Sequence, residues 1–117
     1  MVRGVMVAVA ALCAAATYPA HGVEAWVGRW AVSPAGCALF GGDTVATAPL
    51  TVTDRSVDWM SSNCRIGKMY KLGQAAYIQA HCSGRTNADV PVTLDPRPGD
   101  RMRVTWGGKT EEMRRCK

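Results

Sequence analysis

Cys64 and Cys82 stand equally far from Gly73 in the stretch Asn63–Cys82, and that symmetry limits the fold of this chain more than any other feature. Two β-prone segments, Cys64–Tyr70 and Ala75–Cys82, flank Lys71-Leu72-Gly73-Gln74. This is the pattern of a β-hairpin with a cysteine at the open end of each strand. In the second segment Ala76, Ile78, Ala80 and Cys82 share an apolar face, and Tyr77, Gln79 and His81 share the other. Cys64 and Ile66 match the apolar face on the partner segment, but unbroken alternation would also turn Lys68 inward. A bulge near Gly67 resolves the conflict by turning Lys68 outward and bringing Met69 in. A helix through Cys64–Leu72, with Arg65, Lys68 and Lys71 near one stripe, is the competing pattern for so short a segment.

The remaining segments read as short strands laid beside this hairpin. Val23–Val32 places Trp26 and Trp30 on one face as core plugs, with Gly28 leaving room between them, before Ser33-Pro34-Ala35-Gly36 breaks the strand. The region from Cys37 to Ala48 is weakly patterned, with a turn at Gly41-Gly42-Asp43, and suits a loop with at most a short strand or helix. Leu50 and Val52, then Val57 and Trp59, alternate with polar neighbours across the Asp54-Arg55-Ser56 turn, and Ser61-Ser62-Asn63 turns the chain into the hairpin. Ser83–Asp89 is a polar loop. Val90, Val92 and Leu94 then face inward around Pro91, which suggests an edge or a strand start. The Asp95–Asp100 turn leads to Met102, Val104 and Trp106, with Arg101 and Arg103 outward, and Gly107-Gly108 precedes the last segment, Thr110–Cys116. About eight short strands joined by hairpin-scale loops predict an all-β protein, a small antiparallel barrel or a strongly curled sheet.

Residues 1–22 have the composition of a cleaved export signal. Arg3 precedes an apolar run at Gly4–Ala16, and Ala20 and Gly22 supply the small residues of a cleavage site. The run is shorter than the ~20 residues of a membrane span. Cleavage leaves residues 23–117 as a single domain with a thin core, the size class that usually needs covalent staples. Cys13 departs with the signal, and the even set Cys37, Cys64, Cys82 and Cys116 predicts two disulfides and a periplasmic or secreted location. Three pairings are open. Hairpin register favours Cys64–Cys82 with Cys37–Cys116, and Cys37–Cys64 with Cys82–Cys116 competes. No C-x-x-C pair is present and His81 is the only histidine after the signal, so no metal or cofactor is expected.

The formal charge of +5 falls by one when Arg3 leaves. Such a mild excess favours an acidic protein or an anionic envelope component as partner. Nucleic acid is not expected without a dense basic run interleaved with aromatics. Arg65, Lys68 and Lys71 on the hairpin, and Arg101 and Arg103 on a shared outward face, are the candidate partner-binding residues, set against their service as a charged, aggregation-resistant surface. The carboxylates Asp54, Asp58, Asp95 and Asp100 sit in or beside turns, where Asx-type bonding accounts for them. His81 lacks a serine placed beside it by a recognisable motif, so no catalytic residue is assigned.

Gly28-Arg29-Trp30, Cys37, Cys64-Arg65-Ile66-Gly67, Ala80-His81-Cys82-Ser83-Gly84 and Met113-Arg114-Arg115-Cys116 form an order that resembles small exported proteins of alphaproteobacteria. That resemblance implies location and a β-fold and no activity. The Gly28-x-Trp30 opening with Cys37 is also similar to bacterial metalloprotease-inhibitor barrels. The expected function is therefore a non-enzymatic binding or inhibitor-like module. An envelope structural or stress protein without a specific ligand, and a minor hydrolase using His81, are the alternatives.

Overall fold

A computed structural model describes residues 24–38, 44–84 and 87–117. The expected leader at residues 1–22 and the turn expected at Gly41-Gly42-Asp43 lie outside the described residues. Eight strands follow one another around a closed antiparallel barrel: β1 (Gly28–Ala31), β2 (Leu50–Val52), β3 (Ser56–Trp59), β4 (Ser62–Leu72), β5 (Ala75–Gly84), β6 (Ala88–Arg97), β7 (Arg101–Trp106) and β8 (Lys109–Arg115). Each strand pairs with its sequence neighbour, and β8 closes on β1 through Trp30↔Arg115 and Ala31↔Arg114. A short helix, α1 (Pro34–Ala38), follows β1 where the chain was read as a break. It packs on the outside of β1 over Ala31, and Gly36 permits the approach because a Cβ there would lie 2.9 Å from the Ala31 Cβ.

Period-two alternation fills the interior. Trp30, Leu50, Val52, Val57, Leu94, Met102, Val104 and Met113 are fully buried, with Ala76 and Ala80 giving the space the larger side chains occupy. Burial of each large side chain contributes about 1.5–3 kcal/mol. The buried indole N–H groups are satisfied: Trp30 Nε1 donates to the Trp26 carbonyl at 3.0 Å and Trp59 Nε1 to that of Ala48 at 3.1 Å. Outward positions on β6–β8 are charged or hydroxylated, in the cross-strand rows Arg97–Arg101–Arg114, Asp95–Arg103–Glu112 and Thr93–Thr105–Thr110. Apolar inside and charged outside is the reverse of a membrane-spanning barrel.

Both disulfides take the favoured pairing. Cys64 and Cys82 are directly opposed across β4 and β5, and Cys37 ties α1 to Cys116 at the end of β8. Two such bonds suit an oxidising compartment.

Several local expectations need correcting. Trp26 is buried as expected but lies in a turn ahead of β1, so it does not share a strand face with Trp30. Gly28, at φ +143°, makes room for Arg115: a Cβ there would come within 2.6 Å of the Arg115 guanidinium. The turn into the hairpin is Met60-Ser61, with Trp59 opposite Ser62. The Ser83–Asp89 loop is shorter than read, because β5 continues to Gly84 and β6 starts at Ala88, placing Asp89 opposite His81. The turn after β6 is likewise short, with Asp95 and Pro96 in the strand. Pro91 is not a strand start, since β6 begins at Ala88, but it does stand at a local edge, one residue past the last β6–β7 pair, Val92↔Trp106. Its carbonyl accepts from Gly107 N at 2.9 Å, so its missing N–H faces the side where the β7 ladder has just ended at Trp106.

Candidate functional site

The hairpin departs most from the rest of the barrel. The turn is two residues long, so Lys71 and Leu72 belong to β4 and do not form part of a four-residue loop. Gly73 has φ +65° while Gln74 keeps an ordinary negative φ, the pattern of a type II′ turn, and Leu72 faces Ala75. The short loop lengthens β4 to eleven residues beside a β3 of four. The β3–β4 ladder ends at Ser56↔Arg65, with one further bond from Ile66 N to the Arg55 carbonyl at 2.8 Å. From Gly67 to Leu72, β4 therefore has a strand neighbour only on its β5 side among the described residues.

The expected bulge is present. Ile66 faces Ala80 and Met69 faces Ile78, leaving Gly67 and Lys68 opposite Gln79 alone. Glycine at 67 leaves the space His81 occupies, because a Cβ would meet His81 Nε2 and approach the Gln79 carbonyl oxygen at 3.1 Å. Met69 does turn to the Ile78 side, yet it remains 41% exposed because the strand has passed the body of the barrel. Tyr70 and Leu72 are 64% and 65% exposed. Among the described residues the only other large apolar side chain left exposed is Val45. The Tyr70 ring stacks on Tyr77 with centroids 5.1 Å apart. Beside this stack lies a shallow groove of about 310 Å³, lined on its outer face by Lys68, Gln79, Pro91 and Thr93.

The candidate cations divide into groups with different surroundings. Lys71 bonds Glu24 at 3.1 Å and lies 5.7 Å from the Trp26 ring, so it pins the chain segment before β1 to the inner side of the hairpin. Arg65 is exposed on the outer face, and Lys68 projects from the bulge beside the tyrosines. Arg101 and Arg103 stand strands away on β7. Arg103 is neutralised by Glu112 at 3.2 Å, and Arg101 Nε donates to the Pro98 carbonyl within its own turn at 3.1 Å. The five residues are not one patch. Arg115 is structural: it donates to the Val27 and Ala25 carbonyls at 2.9 Å each, pairs with Asp100 and covers the Trp30 ring at 4.3 Å.

His81 Nδ1 lies 2.6 Å from Asp89 Oδ1. That hydrogen bond holds the Asp89 carboxyl below its ordinary range. The other ring nitrogen packs on the Gly67 backbone. Asp58, in β3, accepts the Cys64 N–H at 3.0 Å, Asp95 pairs with Arg97 at 3.0 Å and Asp100 with Arg115 at 3.4 Å. These carboxylates have local structural partners.

Met69, Tyr70 and Leu72 were not singled out from the sequence as site residues. The available signal was a length mismatch, since a two-residue loop at Gly73-Gln74 makes β4 longer than the short Val57–Trp59 run can cover. No protein family, curated protein or solved structure matches this sequence.

Proposed function

We propose that this chain is a non-enzymatic, inhibitor-like binding module of the periplasm or the extracellular space, and that the far half of the β4–β5 hairpin is its contact surface. One observation carries the reading: Met69, Tyr70 and Leu72 stand exposed within four residues on a strand held rigid by its ladder and by the disulfide at its base. Exposed apolar side chains clustered in this way mark interaction sites. Tyrosine is among the residues that dominate interface energetics, and a surface already ordered avoids much of the entropy cost of binding. Arg65 and Lys68 beside the apolar cluster suit a protein partner with acidic groups around an apolar recess.

The interior is occupied by packed apolar side chains, which supports recognition at the surface. The His81–Asp89 pair is the feature that favours a hydrolase, because it supplies an oriented imidazole. Its second nitrogen rests on Gly67, where an attacking hydroxyl would have to sit. Export is supported by the composition of residues 1–22 and by the two disulfides.

Photo-crosslinking tests the contact surface, with a photoreactive residue at Gln74 and the full chain expressed in its own cells. The expected result is a discrete adduct that disappears with Tyr70→Ala and Lys68→Glu and survives Arg103→Glu. Tyr70→Ala should weaken binding about 30-fold, the scale of a 2 kcal/mol interface residue. Absence of an adduct, or loss only with Arg103→Glu, would overturn the reading.

A further inference from the structure

We infer that the edge of β4 at Gly67–Leu72, unpaired among the described residues, takes an added strand: an extended segment of a partner protein in which apolar and acidic residues alternate. The inference rests on the proposed contact surface and specifies how that surface is read, through the main chain.

A closed barrel satisfies the hydrogen-bonding groups of its strands, and this one does so everywhere β4 has β3 beside it. Above Arg65 no described residue takes that place. The side of β4 to which each backbone group points follows from two fixed points. Ile66 N–H points toward β3, since it reaches the Arg55 carbonyl. At the other end, the two-residue loop makes Leu72 and Ala75 the closing hydrogen-bonded pair. Alternation then turns Tyr70 toward Tyr77 and directs the N–H and C=O groups of Met69 and Lys71 to the open side. The Gly67–Lys68 bulge reconciles the two ends, because it shifts the outward-pointing set from even to odd positions.

Barrels protect such edges with lysines and bulges, and Lys68, Lys71 and the bulge fit that purpose. Protection alone would leave the edge polar. Here Tyr70 and Leu72 on one face and Met69 on the other remain exposed around the open groups. This is the surface that strand addition uses, with main-chain bonds supplying affinity and alternate side chains supplying selectivity.

Charge decides the occupant. A second copy pairing edge to edge would bring two Lys68 ammonium groups along one seam, with Arg65 at its ends and Lys71 already neutralised by Glu24, and like charges opposed across strands are destabilising. A strand carrying carboxylates would instead meet Lys68 and Arg65 with opposite charge.

The probe is a capped heptapeptide, Val-Glu-Val-Glu-Val-Glu-Val, compared with a twin N-methylated on alternate residues, added at millimolar concentration to the isotope-labelled disulfide-bonded chain. The expected result is slowed amide exchange at Met69 and Lys71, with little change at Tyr70, whose N–H is already bonded to β5. The N-methylated twin should show no such protection. Lys71→Pro removes one edge donor without touching the β5 ladder and should weaken binding about tenfold or more, whereas Lys71→Ala, which keeps the donor, should change it less than about threefold. Equal binding of the twin peptides, or no protection at Met69 and Lys71, overturns strand addition. In that event, a Gln74 adduct that still depends on Tyr70 leaves the contact surface standing. A dimer in sedimentation that Lys71→Pro abolishes would overturn the choice of occupant.

Discussion

Replacing Arg115 with methionine should destabilise the barrel far more than the same change at Arg114, one residue away. Methionine keeps the apolar stem and removes the guanidinium. That group donates to two backbone carbonyls at 2.9 Å, lies 4.3 Å from the Trp30 ring and pairs with Asp100 at 3.4 Å, in a side chain that is 33% exposed. Charge-assisted bonds to neutral groups contribute about 1.5 kcal/mol each at the low end that partial exposure dictates. The ring contact adds about 0.5–1 kcal/mol, and the ion pair with an exposed aspartate adds little. Allowing for non-additivity, the loss should be about 3 kcal/mol, or ~12–24 °C in Tm for a domain of this size. Arg114→Met, on the outer face with no side-chain partner among the described residues, should stay within ~0.5 kcal/mol of the parent. Gly28→Ala should be costly by the same route, because its Cβ displaces the guanidinium and its φ of +143° disfavours a side chain. Denaturant unfolding of the two single variants and the double variant gives the coupling. The costs should fall well short of additive, since either change breaks the same clamp. Additive costs, or Arg115→Met as mild as Arg114→Met, would refute the clamp and its account of the Gly28-x-Trp30 opening.

Three further outcomes follow from the same geometry. The Asp89 carboxyl should titrate below the ordinary value of 3.8, so its pairing with His81 supports the fold fully above that value and is lost as pH falls through the lower folded midpoint; His81→Ala should return the midpoint, read by NMR, to the ordinary range, and an unmoved midpoint would refute the cause given. Removing Cys37–Cys116, which spans 79 residues, should cost about 4–5 kcal/mol in urea unfolding against about 3 kcal/mol for Cys64–Cys82, which spans 18, by the loop-entropy relation; the reverse order would contradict it. Met60 and Ser61 occupy φ of 52° and 66°, so replacing the pair with Asn-Gly should add about 1 kcal/mol to stability, and calorimetry showing no rise in Tm would refute backbone strain at that turn.

The barrel was legible because its cause is local. Alternation in Leu50–Val52, Ala76–Cys82, Val90–Leu94 and Met102–Trp106 marks the inward face of four strands, and opposed cysteines at 64 and 82 fix the hairpin register. The bulge was legible for a related reason, since Lys68 could not remain on the Ile66 face. Arg115 was not legible, because nothing in Arg114-Arg115 says which guanidinium will meet the carbonyls of Ala25 and Val27, some ninety residues earlier. The exposed tip was missed for a geometric reason. Assigning Leu72 to the turn hid how far β4 outruns β3, and a strand is left unpaired only through the lengths of its neighbours. Charge was a poor guide to the site, since Arg103 and Lys71 are already paired with Glu112 and Glu24.

Hydrogen exchange by mass spectrometry, on the disulfide-bonded chain with and without concentrated periplasmic extract, tests the contact surface most directly. The account predicts added protection confined to peptides covering Gly67–Leu72, with the β6–β8 face unchanged. Protection on the Arg97–Arg101–Arg114 row, with exchange at Gly67–Leu72 unaltered, would contradict it.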